Sequence, residues 1–213
     1  MPPYDPKREL KALYAPKNTT WSLVDVPAQR FLAVDGHGDP NRVPAYAQAV
    51  EALYSVAYTL KFAIKRAGGR DFVVGPLEGL WWADDFTSFT TARDKTAWHW
   101  TMLISQPPWV TPGQIAEARE AALAKKKRPT IADVRVEPLN EARCAQALHI
   151  GPYDAEGPLL NELHTAYLPG QGLEPTGRHH EIYLGDPRKT APERLRTVLR
   201  QPVRPTDQPQ HAP

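Results

Sequence analysis

Cysteine is nearly absent from this chain: Cys144 is one thiol among 213 residues, so no internal disulfide can form. Long apolar runs are missing as well, since none approaches the roughly 20 residues needed to cross a bilayer. The first residues contain no apolar segment typical of a signal peptide. The net charge is only +2, which gives no electrostatic reason to bind nucleic acid or a membrane. We therefore expect a cytoplasmic globular protein without a membrane partner and without direct nucleic-acid binding.

Signatures of the common enzyme classes are missing too. The stretch HGDPNR (37–42) lacks the lysine and the spacing of a phosphate-binding loop, and no G-x-S-x-G nucleophile motif occurs. The seven histidines are scattered, and the adjacent His179 and His180 point to opposite faces of a strand, which disfavours a metal site. We expect neither a metal nor a cofactor.

What the chain does contain is a mixture of strand and helix patterns that indicates an α+β fold. Thr111 and Gln114 form a capping-box motif at the start of one helix. The N-terminal residues, up to about 18, look loose because they mix prolines and charges. The predicted strands cover residues 29–38, 71–83, 97–106, 132–139, 143–151, 179–184 and 195–203. The predicted helices cover residues 44–66, 112–128, 156–168 and 190–193.

The two halves of the chain repeat one order, strand–helix–strand–strand. RFLAVDGHGDP resembles RCAQALHIGPYD, and TMLISQPPWV resembles TVLRQPVRPT. One such unit is too small to bury both of its faces, so two units related by a pseudo-twofold would form one domain with a ligand cleft at the seam. We predict an N-terminal extension at residues 1–19 and a disordered tail at residues 205–213. Between them we predict one domain, with halves at about 20–128 and 129–204.

Aromatic residues are concentrated in the strands of the first half. Trp81, Trp82, Trp98 and Trp100 lie in two predicted strands, and Trp109 follows them. Packing in the core is the ordinary role of a tryptophan. So many indoles on neighbouring strands also suit planar or cationic ligands, which bind by stacking and by cation–π attraction of about 0.5–2 kcal/mol. Both interpretations are open at this point.

The predicted strand in RHHEIYLGDP (178–187) carries one acid. Alternation places His179, Glu181 and Tyr183 on one face of the strand. His180 lies on the opposite face, which is otherwise apolar. If the Glu181 face is solvated, the acid needs no further explanation. If that face is buried, the pKa of Glu181 rises, and the carboxylate can bind a cation or act as a general base toward water.

Several stretches resemble the GyrI-like small-molecule-binding domain family. LHIGPYDAEGPLLNELH (148–164), HHEIYLGDPRKT (179–190) and LRTVLRQPV (195–203) resemble its second half. KRAGGRDFVVGPLEGLWWA (65–83) resembles the first half of a stand-alone subgroup. The resemblance covers nearly the whole of residues 20–204.

The resemblance implies an aromatic-lined cleft between the halves, with a glutamate at its bottom that corresponds to Glu181 and a neighbouring tyrosine, Tyr183. MerR-class multidrug-sensing activators carry a similar effector-binding domain behind a helix-turn-helix. Here about 20 residues precede the domain, too few for that motif, so we expect no direct DNA binding. Other relatives bind gyrase, and the stand-alone group hydrolyses cyclopropane-bearing DNA-alkylating antibiotics.

Two small-molecule functions follow from these observations. In the first, a planar electrophilic drug stacks between Trp82 or Trp100 and Tyr183, Glu181 takes a proton from water, and the Tyr183 hydroxyl hydrogen-bonds the developing phenolate. In the second, the cleft binds or senses planar or cationic drugs without catalysis. A gyrase-interacting protein is a third alternative, to which the near-neutral net charge gives little support. The expected ligand-binding residues are Trp82, Trp100, Trp109, Tyr46, Tyr54 and His179.

Overall fold

The computed structural model describes residues 2–85 and 94–206. Within these ranges the chain forms nine strands and six α-helices. The strands are β1 (Ser22–Val26), β2 (Gln29–His37), β3 (Leu77–Trp82), β4 (His99–Gln106), β5 (Arg135–Leu139), β6 (Ala142–Ile150), β7 (Leu173–Pro175), β8 (His179–Tyr183) and β9 (Arg196–Pro205). The helices are α1 (Pro6–Glu9), α2 (Lys11–Tyr14), α3 (Pro44–Arg66), α4 (Pro112–Lys126), α5 (Gly157–Glu162) and α6 (Leu168–Gly170).

The strands form an antiparallel sheet in the order β1-β6-β9-β8-β3-β4-β2-β5, and β7 pairs with β9. This order is symmetric about the β3–β8 pair. In the sheet, β3 is next to β4 and then β2, the strand before α3 in the chain, and β8 is next to β9 and then β6, the strand before α5. The two outer strands are exchanged: β1 precedes β2 but pairs with β6, and β5 precedes β6 but pairs with β2. The α+β class is confirmed, and the exchange ties the two halves together.

The helices form where the spacing of apolar residues predicts them. The bounds of α3 are those predicted, and it buries one face that includes Leu53, Val56 and Leu60 against the sheet. At the start of α4 both capping-box hydrogen bonds, between Thr111 and Gln114, are present. The predicted helix over 156–168 is α5, a π-helical turn over Leu163–Tyr167, and α6 in succession.

Some local predictions are wrong. The N-terminal segment is not loose, because Leu13 and Tyr14 are buried. The predicted one-turn helix over 190–193 is a 3-10 turn, Pro192–Arg194, without a side-chain cap. Strand β1 was not predicted, and β9 continues to Pro205. Residues 207–213 of the predicted tail lie outside the described residues.

The face of β8 that was predicted to be apolar buries Ile182 in an apolar cluster, and it also carries a buried charge network at His180. His180 lies 3.0 Å from Glu141 through Nδ1 and 3.0 Å from Glu78 through Nε2, and Arg200 donates to Glu141 at 3.2 Å. The Tyr14 hydroxyl donates to Glu78 at 3.0 Å. Burial alone would lower the pKa of His180, but the two carboxylates raise it to about 9. Two acids and two bases therefore neutralise each other beneath the sheet.

Candidate functional site

A cavity of about 1870 Å³ lies on the side of the sheet that α3 and α4 cover. The segments 152–156 and 184–192 of the second half form its other wall. Its volume exceeds the range of about 300–1,000 Å³ that is typical of small-molecule sites. Eight aromatic side chains are part of its lining: Tyr46, Tyr54, Tyr58, Phe62, Trp81, Trp98, Tyr153 and Tyr183. Glu156 and Glu181 are among the six acids that line the same cavity.

A chain of hydrogen bonds holds Glu181 in place. The Trp81 indole N–H donates to the Tyr183 hydroxyl at 3.0 Å, and that hydroxyl donates to Glu181 Oε2 at 2.7 Å. Burial raises the pKa of Glu181 to about 7, although the Tyr183 hydrogen bond opposes the shift. The side chain of Glu181 is 14% exposed. At neutral pH this carboxyl can therefore accept a proton from bound water and release it again.

Gly79 makes room for this chain of hydrogen bonds. It lies opposite Glu181 in the β3–β8 register, and a Cβ at this position would lie 2.8 Å from Trp81 Nε1 and 3.2 Å from the Tyr183 hydroxyl. A methyl group here would therefore push the indole away from the tyrosine. The glycine in the stretch LEGLWW is a requirement of the site.

We expect Gly79→Ala to break the Trp81–Tyr183 hydrogen bond. The free energy of unfolding should fall by about 1–3 kcal/mol, and binding of the planar cation ethidium should weaken by about tenfold. Fluorescence titration and urea denaturation measure the two effects. Gly170→Ala is the control, because its added Cβ meets no heavy atom within 4 Å. Ethidium affinity equal to that of the wild type would contradict the prediction.

Four of the expected ligand-binding residues do not line the cavity. Trp82 lies on the other face of the sheet, where Arg178 covers its ring at 4.6 Å. Trp100 is 0% exposed and packs against Gly36 in the core. Strand alternation explains the position of Trp82, because Trp81 and Glu181 share a face and Trp82 does not.

Trp109 and His179 lie elsewhere as well. The ring centroid of Trp109 lies 5.1 Å from that of Tyr4. The Arg70 guanidinium lies over the same indole, 4.3 Å from its centroid. His179 is near Glu181, with 3.8 Å between Nε2 and Oε1, but is not part of the cavity lining. Burial lowers the pKa of His179 to about 4, so its imidazole is neutral at pH 7.

The cavity contains Tyr46, Tyr54, Glu181 and Tyr183, as the sequence analysis expected. Tyr46 packs on Trp81 at 6.4 Å between ring centroids, and Tyr54 stacks on the exposed Tyr58. The sequence analysis did not assign Trp81, Trp98, Tyr153 or Glu156 to the site. Trp81 and Trp98 belong to the group of tryptophans that the sequence analysis noted in the strands of the first half. No sequence pattern marked Glu156 as a site residue, since it is simply an acid before a predicted helix.

Helices α3 to α6 on one side of an antiparallel sheet, and a large cavity with aromatic rings around the Glu181 carboxyl, define a small-molecule-binding protein of the α+β class. The chain belongs to the GyrI-like family. The family model described as the GyrI-like small molecule binding domain matches residues 19–204. No curated protein sequence matches the chain.

Solved structures agree with this assignment. A conserved protein from Listeria innocua is 39% identical, with a TM-score of 0.86 over 94% of this chain and 100% of its own. A hydrolase from the same species is 38% identical, with a TM-score of 0.81 over 94% and 100% of the two chains. The C-terminal domain of EcmrR, at 12% identity and a TM-score of 0.54 over 88% and 98% of the chains, shares the fold alone.

Across residues 2–85 and 94–206, no helix combines the length and the apolar composition that a membrane span requires. The same residues contain no group of three or more histidine, cysteine, aspartate or glutamate side chains placed to hold a metal ion.

Proposed function

We propose that the cavity hydrolyses cyclopropane-bearing DNA-alkylating compounds by glutamate-assisted attack of water. The hydrogen-bond chain from Trp81 through Tyr183 to Glu181 is the observation that carries this proposal, because it orients a buried carboxylate whose pKa is about 7. The name of the Listeria innocua hydrolase, 38% identical to this chain, supports it. The cavity walls supply rings on which a planar electrophile can stack.

In the proposed reaction, Glu181 removes a proton from a water molecule while the water oxygen bonds to the cyclopropane methylene carbon. The ring carbon–carbon bond breaks, and its electron pair moves through the conjugated ring to the carbonyl oxygen, which becomes a phenolate. Trp81, Trp98 and Tyr46 hold the planar ring system. Tyr183 positions Glu181 and does not serve the phenolate, because its single hydroxyl hydrogen is already donated to Glu181.

The reaction can be followed with a spirocyclopropyl cyclohexadienone in ¹⁸O-labelled water. We expect a ring-opened phenol whose new alcohol oxygen carries the label. Because only the carboxylate form of Glu181 accepts a proton, kcat/KM should rise about tenfold per pH unit below about pH 7 and level off above it. No acceleration over buffer, or a rate independent of pH between about 5 and 8, would exclude this mechanism.

The alternative function is binding without catalysis, with Glu181 as the counter-ion of a cationic planar drug. A carboxylate surrounded by aromatic rings favours such a ligand. In that case ethidium affinity should increase as the pH rises through about 7, and the cyclohexadienone should be recovered intact. The two functions therefore differ in whether purified protein turns the compound over.

A further inference from the structure

Glu156, another acid of the cavity lining, has no role in the proposed reaction. Glu156 lines the same cavity as Glu181 and is 5% exposed. Its Oε1 atom has no well-formed hydrogen bond among the residues that the structure describes. The Thr197 hydroxyl lies beside the carboxyl and favours its ionised form. A buried polar atom without a partner is costly and rare, so its presence here needs an explanation, such as a contact with a ligand. Glu156 Oε1 is therefore available to a ligand.

The charges around Glu156 disfavour its ionised form. Burial is the largest cause and the nearby Glu181 the next, and together they raise the pKa of Glu156 to about 10. Asp154 adds to this effect. Lys95 opposes it, but its ammonium group is bonded to Asp154 at 2.8 Å. Tyr153, which also faces Glu156, is neutral at pH 7, because burial raises its pKa to about 12.

We propose that Glu156 is the hydrogen-bond donor of the cavity, whose protonated carboxyl binds a carbonyl oxygen of the ligand. This inference rests on the proposed function, because it requires that the cavity binds a small molecule. It specifies neutral planar ketones as the class of ligand. The carboxyls of Glu181 and Glu156 then have opposite roles, because Glu181 accepts a proton and Glu156 donates one.

This role completes the proton balance of the proposed hydrolysis. The proton from the attacking water goes to Glu181, and the phenolate oxygen takes the proton of Glu156. The net reaction adds one water molecule to the substrate. It leaves Glu181 protonated and Glu156 ionised, and exchange of one proton with solvent at each carboxyl restores the starting state.

Fluorenone and fluorene test the donor directly, because they share a planar skeleton and differ in one carbonyl acceptor. We expect wild-type protein to bind fluorenone about tenfold more tightly than fluorene, the worth of one hydrogen bond. Glu156→Leu should remove this preference. Glu156→Gln should keep it, because the amide N–H still donates. Displacement of ethidium measures all affinities.

The outcomes separate this inference from the proposed function. If ethidium, fluorenone and fluorene all fail to bind, small-molecule binding at this cavity is wrong. If ethidium binds but wild-type protein does not prefer fluorenone, or Glu156→Leu keeps the preference, the donor role is wrong and binding stands. In a turnover assay, Glu156→Gln should lower kcat by about 100-fold, since an amide cannot transfer the proton.

Thermal unfolding provides a readout that needs no ligand. The unfolded state releases the Glu156 proton above about pH 4.5, whereas the folded state holds it to about pH 10. Folded protein therefore loses stability as the pH rises between these values, and Glu156→Gln avoids the loss. We expect the Tm of Glu156→Gln to exceed that of wild type at about pH 8 and to match it at about pH 4. Glu162→Gln, an exposed acid in α5, is the matched control. Equal Tm differences at both pH values would overturn the proposal.

Discussion

Glu181→Gln is expected to lower the hydrolysis rate of a spirocyclopropyl cyclohexadienone by about 10²–10⁴-fold. The amide has nearly the shape of the carboxylate and can still accept the Tyr183 hydrogen bond, but it cannot take a proton from water. Affinity for the neutral fluorenone should change by less than about twofold. Product formation by chromatography and fluorenone titration measure the two quantities.

The matched control is Glu120→Gln, an exposed acid on α4, which should hydrolyse the compound as fast as the wild type. Unchanged hydrolysis by Glu181→Gln would sink the mechanism. A wild-type protein without turnover, together with an ethidium affinity that falls about tenfold or more in Glu181→Gln, would favour the non-catalytic binder.

Arg200→Leu is expected to lower the free energy of unfolding by about 3–5 kcal/mol. Arg200 is fully buried and donates to Glu141, to Gln146 and to the carbonyl of Leu13. Removal of its guanidinium group leaves a buried carboxylate with one partner fewer and two acceptors without a donor. Urea denaturation at about pH 5.5 measures the loss, since Glu141 and His180 are both charged there.

The choice of pH follows from the two pKa shifts in the network. For Glu141, burial is overcome by His180 and Arg200, which lower its pKa to about 2, so its contribution is present above about pH 4.5 and lost as the pH falls through 2. For His180, with a pKa of about 9, the contribution is present below about pH 6.5 and lost as the pH rises through 9. Both contributions are complete between these limits.

Arg204→Leu is the control on the same strand. Arg204 pairs with Glu174 near the surface, and such exposed pairs contribute about 0–1 kcal/mol. A loss below about 1 kcal/mol in Arg200→Leu would show that the buried charge network contributes little to stability.

The tryptophan assignments show where prediction from sequence ended. Trp81 and Trp82 are adjacent, and alternation says that they face opposite ways but not which one faces the cavity. The answer depends on the pairing of β3 with β8, where Trp81 lies opposite His179 and Gly79 lies opposite Glu181. A slip of one residue in this register would exchange the two faces, so the sequence alone did not show which of the two tryptophans faces the cavity.

Glu156 and the buried charge network were missed for a similar reason. His180 meets Glu78, which lies 102 residues before it in the chain, and no local pattern relates two such positions. Glu156 becomes special because the fold buries it beside Glu181, in a cavity to which both halves contribute. In the sequence it is one more acid before a proline-containing helix.

Local spacing was sufficient for helix α3, the capping box of α4, the strand that carries Glu181 and the α+β class, because each depends on neighbours within a few residues. The resemblance of longer stretches indicated the family. The exchange of β1 and β5, the choice of Trp81 over Trp82, and the environments of His180 and Glu156 depend on strand register and on contacts between distant residues. Some of those contacts, such as His180 with Glu78, cross between the halves that pair through β3 and β8. Burial and charge neighbours belong to the assembled sheet and not to any segment of the chain.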